Sequence, residues 1–218
     1  MLSVESDIEL SLIALYGVLM KGILFKPDMI QAIVEGRKTQ TRRVIKFKSL
    51  PHIKDSDWHA PLRIAGAYIF TARFGLAMKQ QRVKYRYQAG EGVYIKEAWW
   101  RDQSGGCWGY KLDDIEWPPL NCGGKAISSP FMPAWAARYF IEFTGVRSER
   151  LQEISLADIY AEGCPLEEAT IFVDPVRGYE IKAQATEWFA TLWDSINLKY
   201  PWESNPYVWV YKFELVRR

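Results

Sequence analysis

Apolar positions follow two kinds of spacing along this chain. Met29, Ile30, Ile33 and Val34 fall on one helical face over Pro27–Glu35. Proline suits the first turn, and Gly36 stands where a helix commonly ends in a left-handed residue. A second stripe joins Ile181, Ala185, Trp188, Phe189, Leu192, Trp193 and Ile196, with Trp188 and Trp193 read as core. Between the two, Ser155-Leu156-Ala157-Asp158 opens a short helix that ends near Gly163, Asp158 taking the place of the usual Glu of a capping box. Elsewhere the spacing is that of strands. Ala67–Phe74, Val83–Tyr87, Val93–Trp99 and Arg138–Arg147 are expected to be extended. Tyr207–Val216 closes the chain with Trp209, Tyr211, Phe213 and Leu215 on one face. Gln88–Gly92 is expected to join two of these strands as a hairpin. Lys46–Pro61 and Trp100–Pro133 show no period and read as insertions, the second extending to about Ala136. Mostly antiparallel strands with three helices around them predict an α+β barrel rather than a parallel sheet.

Composition narrows the function classes. The chain has 218 residues, is 49% hydrophobic and 15% aromatic, and carries ten tryptophans, as expected of one globular domain over 20–218. Net charge is only +2, so any binding of nucleic acid must come from a local patch. Cys107, Cys122 and Cys164 lack paired spacing, which argues against a disulfide framework and for a reducing, cytoplasmic compartment. With only His52 and His59 beside them, no metal site is expected, and no cofactor motif is present. Ile8–Met20 is apolar but too short to span a bilayer, so no membrane association is expected. Residues 1–19 read either as an extension preceding the domain or as a short surface helix.

The densest polar segment is Gly36-Arg37-Lys38-Thr39-Gln40-Thr41-Arg42-Arg43, with four cations and two hydroxyls in eight residues. A solvated turn is one reading. A site is the other, because threonine at alternate positions favours extended backbone and glycine permits a sharp turn into it. Glu97 and Trp99, two apart in an expected strand, would share a face suited to a nucleobase, one accepting its hydrogens and the other stacking. An ordinary wall tryptophan beside a surface glutamate is the competing reading.

Ile33–Arg43 resembles the signature of ASCH domains, a PUA-like superfamily, and further segments agree in order. Gly90–Trp99 resembles the family's central strand, Leu151–Gly163 its short helix, and Val208–Leu215 its closing strand. Met132–Arg138 and Leu192–Asn197 resemble the larger members often encoded by phages and prophages. The resemblance implies a small mixed, mostly antiparallel β-barrel with flanking helices. It also implies an amidohydrolase that deacetylates an acetylcytidine-like nucleoside, with Lys38, Thr41 and Glu162 catalytic. In chemical terms Thr41 would attack or position water, Lys38 would take a proton, Glu162 would pass it to the departing amine, and Arg43 would steady charge. Lys38 and Thr41, three apart, point to opposite faces of a regular strand, so irregular backbone is expected at Lys38–Thr41. The same cavity could instead bind RNA or a modified base without turning it over, since fold alone does not decide function.

Overall fold

The computed structural model describes residues 20–50, 52–101, 108–113, 125–165 and 175–216. Residues 1–19 lie outside them, as do Cys107, Cys122 and parts of the Trp100–Pro133 segment. The described chain is mixed α+β, with mostly antiparallel strands and few helices. In order it runs β1 (Gly22–Leu24), α1 (Pro27–Val34), β2 (Gln40–Val44), β3 (Trp58–Ile64), β4 (Ala67–Phe74), β5 (Ala77–Lys84) and β6 (Gly92–Lys96). It continues with β7 (Trp99–Arg101), β8 (Trp108–Tyr110), β9 (Lys125–Ile127), β10 (Phe140–Arg150), α2 (Leu156–Ala161), α3 (Pro175–Asp194) and β11 (Tyr207–Val216). Where one domain is expected from the sequence, the chain divides into two compact units: Met1–Val34 with Gly92–Glu142 and Leu215–Arg218, and Glu35–Glu91 with Phe143–Glu214.

In the first unit β6 pairs with β1 in parallel and with the start of β10 antiparallel. Val93, Ile95 and Ile141 on these strands are fully buried, as are Ile30 and Ile33 on α1. The region expected to be irregular holds a small sheet in the order β8-β7-β9, over Trp99, Met132 and Ala136. Its strands are three residues long, too short to show a period.

In the second unit β11 pairs antiparallel with β2, and its two faces do different work. Val208 and Val210 join Ile159 of α2 and Ala185, Phe189 and Trp193 of α3 in an apolar cluster, with Trp188 half-buried against it. Burying Phe189 and Trp193 anchors α3, each worth about 2–3 kcal/mol in apolar area. The alternate residues Trp209, Tyr211 and Phe213 enter an aromatic layer with Tyr68, Phe70, Tyr87 and Phe143, ring centroids 4.6–6.4 Å apart.

Two strand expectations are corrected. Extended backbone spans Ala77–Lys84 rather than Val83–Tyr87, and it pairs with β4 through the turn at Gly75 (φ +58°). Gln88–Gly92 is therefore not a hairpin connection, since β5 pairs with β4 and β6 with β1 and β10. The polar Lys79–Arg82 run hid the strand, because neither face of β5 is deeply buried and no alternation shows. The Lys46–Pro61 loop also gives way, from Trp58 onward, to β3.

Candidate functional site

Two glycines in left-handed backbone shape the site: Gly36 (φ +79°), before Lys38, and Gly163 (φ +94°), after Glu162. An L side chain is strained at such angles, so glycine permits both turns. Ser155 caps α2 by accepting the Asp158 N–H, and the helix is spent after six residues. Glu162 follows as its C-cap and forms an isolated antiparallel bridge with Lys38, while the Thr39 N–H bonds the Ala161 carbonyl at 2.9 Å. Gln40 and Thr41 are regular strand paired with β11, and the Thr39 carbonyl accepts the Phe213 N–H in the same pairing at 2.9 Å, so the irregular backbone expected across Lys38–Thr41 is not found at these residues.

The side chains follow the backbone. Lys38 Nζ donates to Glu162 Oε2 at 2.6 Å and to the Glu162 carbonyl at 2.9 Å. Arg42 Nη1 donates to the other carboxylate oxygen, Oε1, at 3.0 Å. Arg42 Nη2 reaches Glu149 at 2.6 Å and Asp158 at 3.1 Å, and Arg147 holds both of those carboxylates. Gln40, between the two cations, donates weakly to the Asp158 carbonyl at 3.5 Å. Lys38 is 1% exposed, and Arg42 and Glu162 are 5% exposed. A buried charge is tolerable only when paired and hydrogen-bonded, and here the pairing ties the head of β2 to the end of α2.

Electrostatics follow from that burial. Desolvation is the largest influence on Lys38 and lowers its basicity; Glu162 opposes it, Arg43 and Arg42 reinforce it, and the outcome is a lysine below its ordinary value. Burial likewise lowers Arg43, against the pull of Tyr87, Glu162 and Tyr211. Burial pushes Asp158 up, but Arg42 and Arg147 outweigh it and hold the carboxyl below its usual range. Burial raises the Tyr211 phenol to about 12, although its oxygen accepts the Arg86 N–H at 3.1 Å.

Of the expected catalytic residues, the structure brings Lys38 and Glu162 together. Thr41 and Arg43 lie on the other face of β2, because Thr41 stands opposite Tyr211 and Arg43 opposite Trp209, while Arg42 stands opposite Val210 on the helix side. This corrects the convergence expected of Thr41 with Lys38: Lys38, Gln40 and Arg42 alternate without a break on the helix side, which leaves Thr41 on the other face. A guanidinium bonded to Glu162 belongs to Arg42, and Arg43 acts electrostatically on Lys38, while Glu162 acts on Arg43. Arg42, Asp158 and Glu149 were missed. Alternation through Lys38, Gln40 and Arg42 was the available signal.

Glu97 and Trp99 belong to the first unit and do not form the single strand face expected of them, since β6 ends at Lys96 and β7 begins at Trp99. Glu97 is 2% exposed, and both its oxygens accept from Arg138, at 3.0 and 2.8 Å. Arg138 also lies over Tyr110 (4.2 Å) and Tyr139 (4.7 Å) and pairs with Asp113. Trp99 meets Trp135 edge to face at 5.4 Å. The Glu97 carboxylate is thus already satisfied and is not an open acceptor for a base.

Among the described residues no group of three or more His, Cys, Asp or Glu is placed to hold a metal ion, and no helix is long and apolar enough to cross a membrane. Comparison with protein-family models, with curated proteins and with solved structures finds no match for this chain.

Proposed function

We propose that the chain is a small amidohydrolase acting on an acylated nucleoside or modified nucleobase of the acetylcytidine type. One observation carries this reading: a lysine of lowered basicity lies 2.6 Å from a carboxylate, both withdrawn from water. Strongly perturbed titratable groups with a specific partner concentrate at functional sites. The accompanying fold reading is a PUA-like, ASCH-type barrel. Its support is that Gly36–Arg43 and Ala161–Gly163, which the resemblance implies form one site, meet at the Lys38–Glu162 bridge.

In this reading the neutral form of Lys38, which its lowered basicity makes more accessible, takes a proton from water as the water oxygen bonds to the acyl carbon. The Arg42 cation, on the same face as the pair, steadies the developing oxyanion. The carbon–nitrogen bond then breaks, and the proton returns from Lys38, by way of Glu162, to the departing amine. The products are a carboxylic acid and the free amino base. Water takes the nucleophile's place because Thr41 is turned to the aromatic side of β2. Since both members of the pair are covered, substrate entry must displace part of that cover.

A second reading, a non-catalytic module that binds RNA or a modified base, is favoured by the completeness of the pairing: both Glu162 oxygens are engaged. Incubating the purified protein with acetylcytidine and following loss of the acetyl group separates the two. The first reading expects turnover by the wild type and none by a folded Lys38→Met variant. No turnover by the wild type, with retention of a modified base that Lys38→Met abolishes, would establish the second.

A further inference from the structure

From Trp58 to Gly90 the chain contains no Asp or Glu, but it contains Arg63, Arg73, Lys79, Arg82, Lys84 and Arg86. The whole chain has 28 Lys and Arg against 26 Asp and Glu, so removing these six leaves the remainder net acidic. This cationic stretch folds as one sheet in the order β3-β4-β5. Its register sorts the side chains. Tyr68, Phe70 and Ala72 are buried on the face that turns to the aromatic layer. The opposite face pairs Arg73 with Met78, Thr71 with Gln80, Ile69 with Arg82 and Ala67 with Lys84, and Leu62 of β3 stands beside Ile69. Arg73, Met78, Gln80, Arg82 and Lys84 are all exposed, Met78 by 61%, and Leu62 is 66% exposed. The ion pairs on Arg37, Lys38, Arg42, Arg138 and Arg147 lie off this sheet, and Arg73 donates to the Gly75 carbonyl.

We infer that this open face of the β3-β4-β5 sheet binds the phosphate backbone of a nucleic acid. Six residues of extended strand separate Met78 from Lys84, so the cations are spread over about 20 Å, long enough to follow several consecutive phosphates. The exposed Leu62 and Met78 between them give apolar contacts to sugars and bases. A chain of nearly balanced charge needs such a concentration to attract a polyanion, and the exclusion of every carboxylate from 33 consecutive residues supplies it. The rival explanation is that cations on the edge strand β5 only prevent edge-to-edge pairing. Charge reversal separates the two, because glutamate protects an edge as well as lysine does but repels phosphate. The inference stands apart from the Lys38 chemistry. Failure of deacetylation leaves it untouched, and failure of oligonucleotide binding leaves that reading untouched.

The test is fluorescence anisotropy with labelled 20-nucleotide oligouridine, the matching single-stranded DNA and a 20-base-pair DNA duplex, at 50 and 200 mM salt. Three phosphate contacts would weaken single-strand binding about twenty-fold, and duplex binding about forty-fold, between those salts. The form bound tightest identifies the ligand. Arg82→Glu/Lys84→Glu is expected to lose at least about ten-fold in affinity, with a shallower salt dependence of roughly one to two in log–log slope. Lys182→Glu/Lys199→Glu, with the same change in net charge on exposed positions outside the sheet, is expected to stay within about twofold. The inference is overturned by absence of binding to all three probes at 50 mM salt, by equal losses in the two double variants, or by unchanged affinity of Arg82→Glu/Lys84→Glu. It is also overturned if only vesicles containing phosphatidylserine are bound, which would assign the face to a membrane surface.

Discussion

Replacing Glu162 with Gln keeps the shape of the side chain and removes the one carboxylate that both Lys38 and Arg42 touch. Arg42 keeps Glu149 and Asp158, but Lys38 loses its acidic partner while remaining buried. Glu162 is the chief influence holding the Lys38 proton on, so without it desolvation acts unopposed. The folded variant must then either bury an unpaired ammonium or shed the proton. Breaking a buried pair on one side costs about 3–5 kcal/mol. Shedding the proton at pH 7 from a group whose ordinary value is 10.5 costs at most about 5 kcal/mol. Both routes give a loss of about 3–5 kcal/mol at pH 7. The second also predicts its pH dependence. The unfolded chain binds the lysine proton that the folded variant rejects, so stability is regained as pH rises toward 10.5. At pH 9.5 the loss should fall to little more than about 1 kcal/mol. Urea unfolding of wild type and variant at pH 7 and 9.5 measures this directly. Adding Lys38→Met should recover most of the loss at pH 7, because it removes the stranded charge. A loss below about 1 kcal/mol at pH 7, or one that does not shrink with pH, would refute the argument.

Other consequences follow from the same geometry. Because burial raises Tyr211 to about 12, the folded state holds its proton where the unfolded chain has lost it; about 2–3 kcal/mol of stability should disappear between pH 10 and 12, and Tyr211→Phe should flatten that decline in denaturant titrations. Asp158 runs the other way: Arg42 and Arg147 hold it low, so its contribution is intact above its ordinary 3.8 and is lost as pH falls through the folded value, and Asp158→Asn should shallow the acid limb of the stability curve. Gly163→Ala puts a side chain at φ +94°, and calorimetry should show a loss of about 1–2 kcal/mol. Phe189→Ala empties a site between Trp193 and Trp202 and should cost about 3–5 kcal/mol by urea unfolding.

What the sequence disclosed follows from burial. The closing strand Tyr207–Val216 was legible because Trp209, Tyr211 and Phe213 meet the aromatic layer on one side while Val208 and Val210 meet the helices on the other, and both sets had to be apolar. The turn at Gly36 was legible because only glycine takes its backbone angle without strain. The strand β5 was hidden because its exposed positions needed no alternation. At the site, proximity of Lys38 to Glu162 came from the ordered motifs and not from any local pattern. The faces of Thr41 and Arg42 follow from the unbroken alternation of β2, and a run of polar residues does not say which of its two faces turns to the helices. Glu97 failed as a base acceptor because its partner, Arg138, lies 41 residues away.

The account depends most on the state of one amine. With the lysines labelled at Cε, a carbon-13 NMR titration, with Lys38→Met to assign the resonance, reads that state directly. Lys38 is expected to titrate apart from the exposed lysines and below 10.5, because burial outweighs Glu162. A Lys38 resonance that moves with the others, at or above that value, would contradict the proposal that this residue accepts a proton in the reaction.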